Sequence, residues 1–168
     1  MTIEVIERRS APDTRRILEA LPDWFGDPVA IDNYVAAAAD PDFGSVLAVR
    51  PESVVGVALT RRHFAQAAEI HLIAVDPEHR GSGVGRALVE HIVEASEHDG
   101  CSLLSVHTVG PSFEHEPYAQ TRAFYRAVGF LPLEEHDGLD WSGPSLILVR
   151  PLAGAAGPDR APDPRVRS

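Results

Sequence analysis

The segment over residues 79–88, HRGSGVGRAL, has the residue types and the spacing to bind an anion through its backbone. Its three glycines let the backbone approach a ligand closely, and the first turn of the helix predicted to follow leaves several N–H groups unpaired. Such N–H groups bind phosphate, and the side chains of Arg80 and Arg86 would add charge-assisted hydrogen bonds. We therefore predict a loop that binds a diphosphate.

Two known nucleotide-binding motifs fit this loop poorly. A phosphate-binding loop of the NTPase type needs a Lys and a Ser or Thr after its last glycine, but Arg86 and Ala87 follow Gly85. A dinucleotide fingerprint needs G-x-G-x-x-G, whereas this loop spaces its glycines as G-x-G-x-G. A nucleotide-binding regulatory domain for ATP or NAD and a plain glycine-rich turn stay open as alternatives.

A second segment strengthens a family resemblance. Arg80, Gly83 and Gly85 match the pattern Gln/Arg-x-x-Gly-x-Gly/Ala, and residues 121–130, TRAFYRAVGF, carry a Phe-Tyr pair and then Gly-Phe. Together the two segments resemble the GNAT superfamily of acyl-CoA-dependent N-acyltransferases. The resemblance covers residues 69–150, whereas the N-terminal half is similar only in general layout.

This resemblance implies a mixed α/β fold of the α+β class. The expected core is a central, mostly antiparallel, twisted sheet of about six or seven strands with a splayed pair of strands. About four helices would flank it. The expected activity is transfer of the acetyl group of acetyl-CoA to a primary amine by direct attack in a ternary complex. A non-catalytic acyl-CoA-binding sensor on the same fold is the alternative.

The resemblance also implies which residues contact acetyl-CoA, the co-substrate, with no metal involved. The diphosphate would lie on the loop, the pantetheine arm would run beside the strand that precedes it, and the Val75 amide is our candidate donor to the thioester oxygen. Gln120 stands where many family members carry Asn. The expected contacts are Ile73, Ala74, Val75, Arg80, Gly81, Ser82, Gly83, Val84, Gly85, Arg86, Gln120, Phe124 and Tyr125.

Transfer of an acetyl group to an ammonium requires a base and an acid. An amine with a pKa of about 10.4 is neutralised at pH 7 at a cost of about 4 to 5 kcal/mol. Glu69 and His71 are two residues apart on a predicted strand, which predicts one shared face with Ile73 and Val75, and either could accept the proton. A solvated strand end is the alternative for Glu69.

The resemblance assigns the acid role to Tyr125. A phenol with a pKa near 10 stays protonated at neutral pH and can protonate the departing thiolate. The alternative is an aromatic core residue beside Phe124.

Two parts of the sequence are candidates for binding the acceptor amine. The loop over residues 111–117 carries Phe113, Glu114 and His115, a combination that can hold an ammonium by charge and by cation–π attraction, although a solvated turn has the same composition. His107 on the preceding strand is a further candidate, either for substrate binding or as a base, and a hydrogen-bonded core histidine is its alternative. Polyamines, amino acids, aminoglycoside-like compounds and protein amino groups all remain open as acceptors.

Composition narrows the class of protein. The chain has 168 residues, 44% of them hydrophobic, and a formal charge of −10, which argues against nucleic-acid binding and mildly favours cationic substrates. No apolar run is long enough to span a membrane and no signal-peptide pattern precedes the first strand, so we expect a cytoplasmic location without membrane contact. Cys101 is the one cysteine, so no internal disulfide forms. A homodimer stays open.

Hydrophobic periodicity and turn residues predict the elements that position these groups. A single domain over residues 1–150 is followed by a Pro-, Ala- and Gly-rich tail over 151–168 that we expect to be flexible. His91, Glu94 and His98 share a helix face and could hold a metal, but a solvated surface is the preferred interpretation. We predict helices over 13–21, 31–39, 83–98 and 118–128, and strands over 2–7, 45–50, 54–61, 68–75, 102–108, 130–134 and 145–150.

Overall fold

The computed structural model describes residues 2–153 and contains one mixed sheet with helices on both faces. The elements, in chain order, are β1 (Glu4–Glu7), α1 (Ala11–Glu19), α2 (Pro28–Ala39), β2 (Gly44–Arg50), β3 (Ser53–Phe64), β4 (Ala67–Val75), a 3₁₀ turn (Pro77–His79), α3 (Val84–His98), β5 (Leu103–Val109), α4 (Glu116–Ala127), β6 (Leu131–Asp137) and β7 (Pro144–Pro151). Every predicted helix and strand is present.

The seven strands lie in the order β1-β2-β3-β4-β5-β7-β6. All neighbours are antiparallel except β4 and β5, which are parallel. The parallel pairing runs only from Ala67 opposite Leu103 to Ile70 opposite Val106, while β5 continues beside β7 as far as Val109. The two strands therefore separate after Ile70, which confirms the predicted splayed pair in a mostly antiparallel sheet.

A bulge interrupts β4 close to this separation. Thr60 of β3 lies opposite Ile70, but the preceding Leu59 lies opposite Leu72, so His71 is an extra residue in β4. An extra residue reverses the alternation of side chains between the two faces of a sheet. The second half of β4 therefore presents its side chains with the opposite parity from the first half.

This reversal corrects one prediction. Ile73 and Val75 pack against the core under α3 and α4, whereas the His71 ring contacts Tyr34 on the α2 side of the sheet. Glu69 alternates with residues of the α3 side and also points toward the α2 side. The expectation that Glu69 and His71 share a face with Ile73 and Val75 is wrong, because it assumed an uninterrupted strand.

Each face of the sheet has its own hydrophobic core. The core under α3 and α4 includes the fully buried side chains Leu88, Val89, Leu104, Phe130 and Leu148. The core under α1 and α2 includes Ile17, Leu18, Leu47, Val57 and Leu59. One face of α3 packs onto the first of these cores, since Val84, Leu88, Val89, Ile92 and Val93 are buried.

Gly56 of β3 brings the start of α3 close to the sheet. A Cβ at this glycine would lie 2.8 Å from Val84 Cγ1 and 3.1 Å from Leu88 Cδ1. Because Gly56 has no side chain, the first turn of α3 packs directly against β3. Gly56 pairs with Val75, so this contact also places the first turn of α3 beside the end of β4. This contact fixes the position of the glycine-rich loop.

The ends of the elements differ from the predictions in a few places. The helix predicted over 31–39 begins at Pro28, because Asp27 caps it by accepting a hydrogen bond from the Val29 N–H and proline suits the first helical position. At the other end of the chain β7 includes Pro151, and Leu152 is buried with its N–H bonded to Ser102 O. The rest of the predicted flexible tail, residues 154–168, lies outside the described residues.

None of the helices over residues 2–153 is long and apolar enough to cross a membrane.

Candidate active site

The glycine-rich loop ends in an open helix N-terminus. Gly81 and Gly83 have φ angles of +72° and +88°, a region that favours glycine, and a Cβ at either position would meet no atom within 4 Å. Gly83 is the N-cap of α3 and supplies no capping side chain. Within residues 2–153, the first N–H of α3 with a carbonyl acceptor is that of Ala87, bonded to Gly83 O at 3.0 Å. The preceding amides are available to an anion.

Guanidinium groups surround this loop. Arg80 and Arg86 are exposed, and the Arg80 guanidinium lies 4.2 Å from the centre of the Trp24 ring. Arg50, at the end of β2, donates a hydrogen bond to Ser82 Oγ at 3.1 Å. Its enclosed Nε has no partner among the described residues. Sequence reasoning missed Arg50, because only the sheet brings the β2–β3 hairpin to this loop.

Three elements meet where the loop enters α3. A Cβ on Gly85 would lie 3.1 Å from Phe124 Cζ of α4 and 3.8 Å from Val75 Cγ2 of β4. Phe124, Ile73 and Val75 are half-buried beside the gap between β4 and β5. The remaining predicted cofactor contacts divide by burial: Val84 and Ala74 are buried, Ala74 on the α2 side of the sheet, while Ser82 and Gln120 are exposed.

Tyr125 is almost completely enclosed. Its side chain is 4% exposed, and its ring packs against those of Phe124 and Phe130 at centroid distances of 5.5 and 5.6 Å. Burial raises the pKa of the Tyr125 phenol far above its usual value of 10, and the nearby Tyr34 acts in the same direction. The hydroxyl therefore keeps its proton throughout the neutral range, as an acid must.

Tyr34 lies near Tyr125 and also near the carboxylates of Glu69 and Asp140. Burial raises the pKa of the Tyr34 phenol, and the charges of Asp140 and Glu69 raise it further. The Tyr34 phenol in turn raises the pKa of Tyr125, so Tyr34 lies close enough to Tyr125, Asp140 and Glu69 to interact electrostatically with all three. Tyr34 could not be recognised from local sequence, because α2 is otherwise an alanine-rich helix without a motif.

Glu69 lies in a network of histidines. It is 9% exposed, its Oε1 lies 3.2 Å from His63 Nε2, and its Oε2 lies 3.5 Å from His107 Nε2. His107 Nδ1 in turn lies 3.0 Å from Asp140 Oδ2 in the turn between β6 and β7. The structure thus brings the predicted Glu69 and His107 together and adds His63 and Asp140, which the sequence analysis missed.

His71 is a neutral imidazole in an aromatic environment. Its ring lies 5.4 Å from that of Tyr34 and 4.9 Å from that of Phe43, measured between centroids. Burial lowers the pKa of His71 below its usual 6.5, and the charge of Glu69 opposes this only in part. His71 is therefore uncharged at pH 7 and able to accept a hydrogen bond or a proton.

An aromatic wall borders this region. Between ring centroids, Phe113 lies 5.9 Å from His115 and 5.4 Å from Trp141, and His115 lies 5.1 Å from Tyr118. Glu114, by contrast, is exposed and makes no described ion pair. Sequence reasoning found Phe113 and His115 but missed Trp141, which follows Asp140 in the β6–β7 turn and joins the wall only in the folded chain.

The Trp24 side chain connects this wall to the rest of the protein. Its Nε1 donates a hydrogen bond to Thr121 Oγ1 at 3.1 Å, and the Tyr118 hydroxyl donates to Trp24 O at 2.9 Å. With Arg80 over the indole ring, Trp24 joins the α1–α2 connection to both α4 and the glycine-rich loop. The glycine-rich loop and the aromatic wall are thereby held in one arrangement.

The helix face considered for a metal has a different environment. His91 Nε2 lies 3.7 Å from Glu7 Oε1, beside a cleft of about 430 Å³ at the end of α3 that is remote from the loop. In the part of the chain that the structure describes, no group of three or more His, Cys, Asp or Glu side chains is placed to hold a metal ion.

Comparisons with known proteins agree with the motifs. Residues 11–130 match the model of the acetyltransferase (GNAT) family. No curated protein sequence matches the chain significantly.

Solved structures share the fold. A GNAT-family protein from Desulfovibrio desulfuricans is 23% identical, with a TM-score of 0.79 over 90% of this chain and 100% of that one. The ribosomal-protein-S18-alanine N-acetyltransferase of Escherichia coli is 18% identical, with a TM-score of 0.71 over 90% and 94%. A GNAT acetyltransferase from Elizabethkingia anophelis with acetyl-CoA bound is 16% identical, with a TM-score of 0.67 over 89% and 98%.

Proposed function

Because the chain belongs to the acetyltransferase (GNAT) family and is thus an acyltransferase, we propose that it transfers the acetyl group of acetyl-CoA to a primary amine. One observation carries this proposal: the backbone N–H groups of Gly81 to Arg86 have no carbonyl acceptor within the described residues. These N–H groups lie at the end of the gap between β4 and β5. An anion-binding helix N-terminus beside an open sheet edge suits an extended ligand with a diphosphate in its middle.

The residues at this end fit acetyl-CoA. The amides of Gly81 to Arg86 would bind the diphosphate, with the exposed Arg80 and Arg86 adding charge. The second half of β4, at Ile73 to Val75, would pair with the pantetheine arm where β5 has separated. We assign the Val75 amide as donor to the thioester oxygen, because a fixed donor stabilises the negative charge that develops there during transfer.

Two side chains would handle the protons. Glu69, whose carboxylate is enclosed between imidazoles, would take a proton from the acceptor ammonium, directly or through water. His71, neutral and nearby, is the second candidate for this base. Tyr125 would give its proton to the sulfur of the departing CoA, since its phenol is held protonated by burial. The amine attacks the acetyl group directly in a ternary complex.

The acceptor would approach from the α2 side of the sheet. Glu69 and Asp140 supply negative charge there, and Tyr34 and the aromatic wall of Phe113, His115, Tyr118 and Trp141 supply ring faces and edges. Carboxylates and aromatic rings together attract an ammonium group, and the net charge of −10 favours cationic acceptors over anionic ones. The acceptor is a small molecule or an exposed amino group of a protein.

The test is an acceptor panel. The purified chain is incubated with acetyl-CoA and, in separate reactions, spermidine, an aminoglycoside, L-lysine or a peptide with an N-terminal alanine. Released thiol and acetylated product are measured, and we expect both with at least one class. Thermal shifts with acetyl-CoA, CoA, ATP and NAD run in parallel, since a ligand at 100 times its Kd adds about 2.7 kcal/mol.

The results separate the alternatives. Stabilisation by ATP or NAD but not by acetyl-CoA would reject the proposal. Stabilisation by acetyl-CoA without thiol release from any amine would favour a sensor instead.

A further inference from the structure

The carboxylate of Glu69 lies between two imidazoles from neighbouring strands. His63 of β3 reaches Oε1 at 3.2 Å and His107 of β5 reaches Oε2 at 3.5 Å. A base enclosed in this way must pass its proton onward before it can act again. The two histidines are the groups nearest to receive it, and their surroundings differ.

Asp140 distinguishes His107 from His63. Its Oδ2 lies 3.0 Å from His107 Nδ1, and because a carboxylate accepts hydrogen bonds, this contact favours the tautomer with the proton on Nδ1. In this tautomer the lone pair lies on Nε2, the nitrogen that faces Glu69, where it can accept a hydrogen bond from the Glu69 carboxyl once that group has taken up a proton. A carboxylate behind an imidazole both selects this tautomer and stabilises the imidazolium that forms on protonation. His63 has no described carboxylate behind it.

We propose that His107, oriented by Asp140, receives from Glu69 the proton that Glu69 takes from the acceptor ammonium. This inference rests on the proposed acetyl transfer. First, an N–H bond of the acceptor ammonium breaks and an O–H bond forms on Glu69. The Glu69 O–H bond then breaks as an N–H bond forms on His107 Nε2. The resulting imidazolium, whose side chain is 27% exposed, releases the proton to water. The net reaction frees one proton per acetyl group, so the step balances without another reactant. His107 and Asp140 are positioning residues, because they act through Glu69.

Charged and titratable groups on every neighbouring element bear on this relay. His71 lies on β4, Arg61 and His63 on β3, Tyr34 on α2 and Asp140 in the β6–β7 turn. Of these, Asp140 is the one within hydrogen-bonding distance of His107 Nδ1. Removing its charge therefore changes the relay while leaving Glu69 and its contact with His63 in place.

The test compares Asp140→Asn and His107→Gln with wild type, using acetyl-CoA and the panel amine with the highest turnover. At pH 7 we expect kcat to fall about 100-fold for His107→Gln, the lower end of acid–base effects, and about 10-fold for Asp140→Asn, because Asp140 acts only through His107; the KM for acetyl-CoA should be unchanged. The loss should shrink as pH approaches the amine pKa of about 10, because a neutral amine needs no proton acceptor.

His136→Gln is the matched control. His136 forms a similar pair with a carboxylate, Glu134 at 3.0 Å, but on the exposed strand β6, so its replacement should leave kcat unchanged at every pH. A loss that is the same at every pH in Asp140→Asn and His107→Gln would assign these residues a structural role and overturn the relay. Wild-type kcat in both variants would overturn it as well.

A second measurement does not depend on activity. Long-range ¹H–¹⁵N NMR of the full chain, with the His107 signals assigned through His107→Gln, should show the proton on Nδ1. A proton on Nε2 would overturn the proposal. If no amine is acetylated, the proposed function fails while the tautomer still decides the orientation of His107; if wild type is active but the variant losses do not depend on pH, only the relay fails.

Discussion

Replacing Tyr125 with phenylalanine removes one hydroxyl and little else. The ring is 4% exposed and its contacts with Phe124 and Phe130 involve carbon atoms that phenylalanine retains. Without the acid, CoA must leave as a thiolate, and a thiol pKa of about 8.5 lies about 1.5 pH units above pH 7, which corresponds to about 2 kcal/mol or about 30-fold in rate. Because burial keeps water from the hydroxyl, we expect solvent to replace it poorly.

The assay is thiol release by Tyr125→Phe and wild type between pH 6 and pH 10. We expect kcat about 30-fold below wild type at pH 7, a smaller difference above about pH 8.5 where the thiolate is stable, and an unchanged Kd for acetyl-CoA. Tyr118→Phe is the comparison, since its hydroxyl donates to Trp24 O and its loss should cost about 1 kcal/mol of stability without changing the shape of the pH profile. An equal kcat in Tyr125→Phe and wild type at pH 7 would refute the acid role.

Two further changes test the fold and the site. Gly56→Ala should lower the free energy of unfolding by about 1 to 3 kcal/mol in urea, because its Cβ would crowd Val84 and Leu88; unchanged stability would mean that α3 does not lie so close to β3. His71→Phe should make the free energy of unfolding less dependent on pH. In the wild type, burial lowers the pKa of His71 in the folded state, so below about pH 6.5 the unfolded state binds a proton that the folded state does not. Wild-type stability should therefore decrease as the pH falls from about 6.5 toward the lowered pKa. Equal slopes for both proteins between pH 7.5 and pH 5.5 would contradict this.

Local patterns in the sequence were sufficient for the loop and its helix. The 3.6-residue periodicity of α3 depends on neighbouring positions, and the buried set from Val84 to Val93 confirms it. The separation of β4 from β5 came from the family resemblance, because no property of either strand alone indicates where their pairing stops. The motif and the periodicity thus located the glycine-rich loop and the helix that follows it.

The surroundings of Glu69 were only partly predictable. The bulge at His71 depends on the register between β3 and β4, and one extra residue moved Glu69 and His71 to the other face of the sheet. Asp140 reaches Glu69's partner His107 from a turn more than thirty residues away. Such contacts depend on long-range pairing, which spacing along the chain does not encode.

The most direct test of the whole account compares Gly83→Asp with Gly83→Asn by calorimetric titration with acetyl-CoA. Both variants place a Cβ in open space at the same positive φ, so their backbone strain is similar and only the charge differs. If the amides before Ala87 bind the diphosphate, the aspartate variant should bind at least about 10-fold more weakly than the asparagine variant, as expected for like charges a few ångströms apart. Equal affinities, or a folded wild type that fails to bind acetyl-CoA, would contradict the account.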